Sequence, residues 1–140
     1  MRPSARLRRA IYAILAVLLA SGLAWLALDR MPGTGDGFTP PLANPALSWL
    51  LAAHGTAAMA ALLLAGALAP LHVRPAWRSG RNQRSGIPTL AAGVLAVVTA
   101  PVLYYAGSDA LRGWASDLHI AAGIGLVVAL LVHRAGCRAR

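Results

Sequence analysis

The sequence predicts an all-α integral membrane protein, a four-helix bundle in which the chain runs up, down, up and down. Of the 140 residues, 58% are hydrophobic and only 12% are charged, so a water-soluble fold of this length could not bury its apolar surface. The apolar residues form four runs of roughly 18 to 25 residues, each long enough to cross about 30 Å of hydrocarbon. We therefore expect a single membrane domain spanning residues 1–140.

The four predicted helices span about residues 10–28, 47–71, 87–105 and 114–133. The first follows an Arg-rich N-terminus and is longer than the apolar core of a signal peptide, so we expect it to remain uncleaved. Residues 31–46 are rich in Gly and Pro, have no helical period and are predicted to form a loop.

Local signals indicate where the later helices end or bend. Pro75 and the neighbouring arginines are expected to end the second helix. Pro101 is expected to kink the far end of the third, and Ser108 or Asp109 to cap the start of the fourth.

The distribution of arginine predicts the orientation of the helices. All 13 basic residues are arginines, and 11 of them lie in the N-terminus, the loop between helices two and three, and the C-terminal tail. Only Arg30 and Arg112 lie on the other side, together with all four aspartates. Because basic residues stay on the cytoplasmic side, both termini are expected there, in a bacterial-type inner membrane.

The four histidines of the chain occur only in helices two and four. The 14 residues between His119 and His133 turn through about 1400°, which places both imidazoles on one face. The 18 residues between His54 and His72 make about five complete turns, so these two histidines also share a stripe. Helices two and four run in the same direction across the membrane. Each histidine of helix two can therefore be paired with the histidine of helix four that lies at a similar depth.

Depth matching pairs His54 with His119 near the outer boundary and His72 with His133 at the inner boundary. One planar haem between two imidazoles needs a histidine from each of two parallel helices at matching depth. Haem b would thus explain the number and placement of the histidines, with one haem at the outer pair and room for a second at the inner pair.

A simpler interpretation also exists, because histidines near the ends of membrane helices can be interfacial residues. His72 and His133 each lie within two residues of an arginine, which suits this interpretation. His54 and His119 lie inside the apolar spans, where an ionisable side chain is costly and usually faces a partner or a cavity. The outer pair is therefore the favoured ligand pair for haem iron.

Composition excludes two other classes of site. The net charge of +9 would suit nucleic acid, but the arginines occur in short clusters between apolar runs, so no nucleic-acid partner is expected. The only cysteine, Cys137, excludes a Cys-x-x-Cys-His attachment and a thiol metal cluster within one chain. Any haem would be held non-covalently.

From about Leu47 to His133 the chain resembles the four-helix membrane cytochrome b superfamily, especially its small bacterial members. The matching elements are His54-Gly55, Pro70-Leu71-His72-Val73-Arg74, Trp77-Arg78, Arg81-Asn82, Gly86, Tyr104-Tyr105, His119 and His133.

The resemblance implies one or two b-type haems and electron transfer between quinol or another donor and a partner protein. It implies that His54 and His119 hold an outer haem and that His72 and His133 hold an inner one. The 18-residue interval in helix two departs from the interval of 13 or 14 residues that is common in similar dihaem proteins. It would misalign the inner pair by about four residues, or 6 Å.

Two functions remain open at this point. The first is a b-type electron-transfer subunit in the bilayer, with a redox protein or quinone as its partner. It is expected to need that partner because the sequence has no nucleotide-binding motif and no Ser-His-Asp set. The second is a haem-free accessory or scaffold protein whose histidines bind a metal ion or quinone or are structural.

Overall fold

The computed structural model describes residues 5–30, 45–80 and 82–138, and the regular structure of this part of the chain is entirely helical. The predicted all-α class is therefore confirmed. The elements are α1 (Ala5–Asp29), α2 (Pro45–Leu68), a π-helix (Ala69–Val73), α3 (Arg74–Arg78), α4 (Gln83–Tyr105) and α5 (Asp109–Arg138).

Four helical stretches within the described residues are long and apolar enough to cross a membrane, as predicted. They are Ala5–Asp29, Pro45–Arg78, Gln83–Tyr105 and Asp109–Gly136. All four begin before the predicted first residue, because helix-forming residues such as Ala, Arg and Gln flank the apolar runs. Most of the predicted loop, together with Arg2, Arg81 and Arg140, lies outside the described residues.

The second helix does not end at Pro75, contrary to the sequence-based expectation. It changes to a π-helix at Ala69–Val73 and continues as α3 to Arg78. Pro70 lies inside the π-helix, where the wider turn relieves the clash between the proline ring and the preceding turn. Pro75 is the second residue of α3, a position in the first turn of a helix that tolerates proline.

The π-helix also changes the position of His72 relative to His54. The shared stripe was predicted for α-helical geometry over all 18 residues, but His72 lies within the π segment. A π turn holds about one more residue than an α turn, which rotates the later residues of the helix by about 100°. The α-helical geometry on which the shared stripe was predicted therefore does not extend as far as His72.

The chain divides into two compact units, residues 1–73 and residues 74–140. In the first, α1 packs against α2, and in the second, α4 packs against α5. The α4–α5 pair is antiparallel, since Ser85 near the start of α4 contacts His133 near the end of α5, while Thr99 contacts His119. Each unit thus contains one pair of packed helices, α1 with α2 and α4 with α5, called here the first and second hairpins.

Large apolar side chains cover the surface of the described helices. Leu63 is 76% exposed and Met59 is 65% exposed, and both belong to apolar runs. Trp49, Trp114 and Tyr105 are also exposed, near the ends of the helices that the sequence assigns to the outer boundary. This distribution suits contact with lipid and an aromatic belt at the interface.

The two turns of the second unit are built by local backbone chemistry. Gly80 and Asn82 have φ values of 67° and 57°, in the left-handed region that Gly and Asn adopt most readily. Ser108 precedes α5, and its Oγ accepts a hydrogen bond from Leu111 N at 3.4 Å. The predicted cap at Ser108 is therefore present.

Candidate functional site

His54 lies in α2 and contacts α1 through its Nδ1 atom. This atom is 3.0 Å from Leu18 O and 3.2 Å from Ser21 Oγ. A carbonyl oxygen can only accept, so Nδ1 of the ring carries the hydrogen and donates it to Leu18. In a neutral imidazole the lone pair available for a metal is then on Nε2.

The lack of a side chain at Gly22 leaves space for the His54 ring beside α1. A Cβ atom at this glycine would lie 3.1 Å from His54 Cε1 and 3.2 Å from His54 Nδ1, tighter than nine in ten real contacts of a Cβ atom. The absence of a side chain at Gly22 therefore allows the imidazole to approach the α1 backbone and bond to Leu18.

His119 lies in α5 and contacts α4 in a similar way. Its Nδ1 is 2.9 Å from Thr99 Oγ1, and Thr99 Oγ1 lies 2.8 Å from Leu95 O. His119 is flanked on its own helix by Ala115 and Ala122, which are both buried. Small residues one turn to either side let the two helices approach closely enough for the imidazole to reach the hydroxyl.

His133 makes the third contact of this kind. Its Nδ1 is 3.0 Å from Ser85 Oγ on α4. Fourteen residues separate His119 from His133, and 14 also separate Ser85 from Thr99, so one antiparallel register produces both contacts. The prediction that His119 and His133 share a face is confirmed, and within the second unit that face lies against α4.

His72 differs from the other three histidines. It is exposed, whereas His54, His119 and His133 are each half-buried. It also lies in the π-helix, whereas the stripe shared with His54 was predicted for a continuous α-helix. The structure thus places His72 in a setting that suits an interfacial residue better than a ligand.

The polar partners of the histidines were not identified from the sequence. Among the described residues, the buried polar residues are Ser21, which is 6% exposed, and Thr99, which is 5% exposed. Each contacts one histidine of the predicted outer pair. The available sequence signal was a hydroxyl residue inside an apolar run, which identifies Ser21 and Thr99 as candidates but not the histidines that they contact.

Other glycines near the histidines have a different role from Gly22. A Cβ atom at Gly55 or Gly123 would meet no atom within 4 Å, so no packing contact requires either glycine. At Gly86 a Cβ atom would make an ordinary contact of 3.7 Å with the His133 ring. Of these glycines, Gly22 is the one where an added Cβ atom would press against a histidine ring.

The predicted pairs each take one histidine from the first unit and one from the second. His54 and His72 belong to residues 1–73, and His119 and His133 to residues 74–140. Both pairings therefore remain predictions. Within the described residues, no group of three or more His, Cys, Asp or Glu side chains is placed to hold a metal ion.

The donor chemistry of three histidines fits haem iron. Histidines that bind a metal usually donate the second ring nitrogen to a nearby acceptor, which fixes the tautomer and the ring orientation. His54, His119 and His133 each have Nδ1 within hydrogen-bond distance of an oxygen atom on the neighbouring helix. Nε2 is the nitrogen that such a contact directs to a ligand position.

Comparison with known protein families, curated proteins and solved structures finds no match to this chain.

Proposed function

We propose that this chain is a multi-pass membrane protein that binds one b-type haem between His54 and His119 and transfers electrons as a subunit of a larger redox assembly. The observation that carries the proposal is that contacts with the adjacent helix hold the imidazole rings of these two histidines in one orientation. Both are half-buried in apolar helices, and both have Nδ1 engaged by an oxygen atom of the adjacent helix. Such an arrangement is typical of metal-binding imidazoles.

The position of each histidine along its helix supports the same pairing. His54 is the tenth residue of α2 and His119 is the eleventh residue of α5, in helices that both follow the loops assigned to the outer side. At about 1.5 Å per residue, the two rings would lie at nearly the same depth in the bilayer. A haem ligated by two imidazoles carries one electron by cycling between ferric and ferrous iron.

The proposed membrane is a bacterial-type inner membrane with both termini on the cytoplasmic side. The asymmetric arginines support this orientation, because 11 of the 13 lie near the N-terminus, around the junction between the second and third membrane-length helices, and in the C-terminal part of the chain from Arg134 onward. Electron donor and acceptor would be a quinone or a partner protein in or at the bilayer. The contacts of His54 and His119 support haem binding, and the haem content of the purified protein distinguishes it from a haem-free role in which the same contacts only join helices.

The experiment is a pyridine haemochrome assay on protein purified in detergent from bacteria supplied with a haem precursor. We expect close to one b-type haem per chain and a Soret band that shifts on reduction. Purified protein with a quinone or a metal ion but no haem would instead establish the haem-free accessory role.

A further inference from the structure

Thr99 is one of the two buried polar residues among those the structure describes, and its hydroxyl lies between the α4 backbone and His119. Its Oγ1 is 2.8 Å from Leu95 O, 3.1 Å from Ala96 O and 2.9 Å from His119 Nδ1. All three neighbours lie within hydrogen-bond distance, but a threonine hydroxyl has a single hydrogen to donate.

Both short contacts of this hydroxyl are satisfied by only one arrangement of hydrogens. The carbonyl oxygen of Leu95 has no hydrogen to offer, so the contact at 2.8 Å requires the hydroxyl to donate toward the α4 backbone. The oxygen of Thr99 is then an acceptor for His119, and Nδ1 must donate. The opposite arrangement would bring two lone-pair oxygens together at 2.8 Å in a buried site, where that contact is costly.

We propose that Thr99 is a positioning residue that holds His119 in the tautomer with hydrogen on Nδ1 and the lone pair on Nε2. This inference rests on the proposed function, in which Nε2 of His119 binds haem iron. Before haem binds, the hydrogen bond selects the tautomer that can ligate and limits rotation of the ring. After binding, it increases the electron density that the imidazole donates to the iron.

The first hairpin provides an internal comparison. Nδ1 of His54 is 3.0 Å from a backbone carbonyl, Leu18 O, and that acceptor remains whatever side chain is placed at Ser21. The Ser21 hydroxyl donates to Val17 O at 2.6 Å, so it too is tied to its own helix. Loss of the Thr99 hydroxyl should therefore affect His119 more strongly than loss of the Ser21 hydroxyl affects His54, although Ser21 and Thr99 are buried to nearly the same extent.

The test compares Thr99→Val, which keeps the shape but removes the hydroxyl, with Thr99→Ser, which keeps the hydroxyl, and with Ser21→Ala as the matched control. The first measurement is nitrogen NMR of full-length, haem-free protein labelled at histidine, with His119→Ala used to assign the signals. We expect His119 of the wild type to carry its hydrogen on Nδ1. Thr99→Val should give a mixture of tautomers, and Thr99→Ser should restore the single one.

The second measurement is haem affinity and midpoint potential of the same proteins. We expect Thr99→Val to weaken haem binding by about 10–100-fold and to raise the midpoint potential, because a less basic ligand stabilises ferric iron less. Thr99→Ser and Ser21→Ala should stay near the wild type. A wild-type His119 with hydrogen on Nε2 would overturn the proposal without any variant, as would unchanged affinity and potential in folded Thr99→Val. Haem-free wild-type protein would refute the proposed function, and the NMR result would still decide the tautomer.

Discussion

Gly22 and His54 are in direct contact across the first hairpin, where a Cβ atom at Gly22 would lie 3.1 Å from His54 Cε1. An added methyl group would require the ring to move by a few tenths of an ångström, which would lengthen the hydrogen bond from its Nδ1 to Leu18 O. We therefore expect Gly22→Ala to displace His54 and to lower the amount of haem that co-purifies with the protein.

Gly55 offers a matched control for this substitution. Gly55 directly follows His54 in α2, but a Cβ atom added at Gly55 would meet no atom within 4 Å. Gly55→Ala should keep haem at the wild-type level, and the haem-to-protein ratio of both variants gives the answer. Equal ratios in the two variants would show that the close contact at Gly22 does not set the position of His54.

The inner histidines give a second prediction. His72 is exposed and lies in the π-helix, so we expect His72→Ala to retain the full haem content and the same reduced spectrum. Quantitative haem analysis against protein mass provides the measurement. If the wild type held two haems and His72→Ala held only one, an inner haem with His72 as a ligand would be established instead.

The orientation of the chain can be tested with single cysteines in a Cys137→Ser background. Ser79 precedes α4 on the proposed cytoplasmic side, and Gly107 precedes α5 on the proposed outer side. In intact spheroplasts, a membrane-impermeant maleimide should label Gly107→Cys, whereas Ser79→Cys should react only after lysis. The reverse pattern would place both termini outside the cytoplasm.

The turn before α4 should contribute to stability through Gly80. Its φ of 67° is costly for a residue with a side chain, by about 1–2 kcal/mol. Gly80→Ala should therefore lower the free energy of unfolding in detergent by about that amount. Gly66 lies within α2, and a Cβ atom added there would meet no atom within 4 Å. Gly66→Ala should therefore not produce this loss of stability. Equal stability of the two variants would contradict a strained turn.

Much of the helical structure could be predicted from the sequence because it depends on local properties. Long apolar runs defined the four membrane-length stretches, and the 14-residue interval defined the face that His119 and His133 share. The π-helix was harder to predict, because Pro70 could end a helix, kink it or widen one turn. Neighbouring tertiary structure influences which of these outcomes occurs.

The contacts between the hydroxyl residues and the histidines depend on how the helices pack against each other. Thr99 and His119 are 20 residues apart, and they meet only because α4 and α5 pack in one antiparallel register. Ser21 and His54 are 33 residues apart and belong to different apolar runs, so no spacing rule could pair them. A buried hydroxyl in an apolar helix was visible in the sequence, but its partner was not.

The Soret band of purified His119→Ala protein, measured beside the wild type and His54→Ala, tests the proposed haem site most directly. We expect the wild type to bind close to one haem, and either alanine variant to lose nearly all of it while keeping its helical circular dichroism, since each removes one axial ligand. A wild-type protein without a Soret band, or a His119→Ala variant with a full one, would contradict a haem held between His54 and His119.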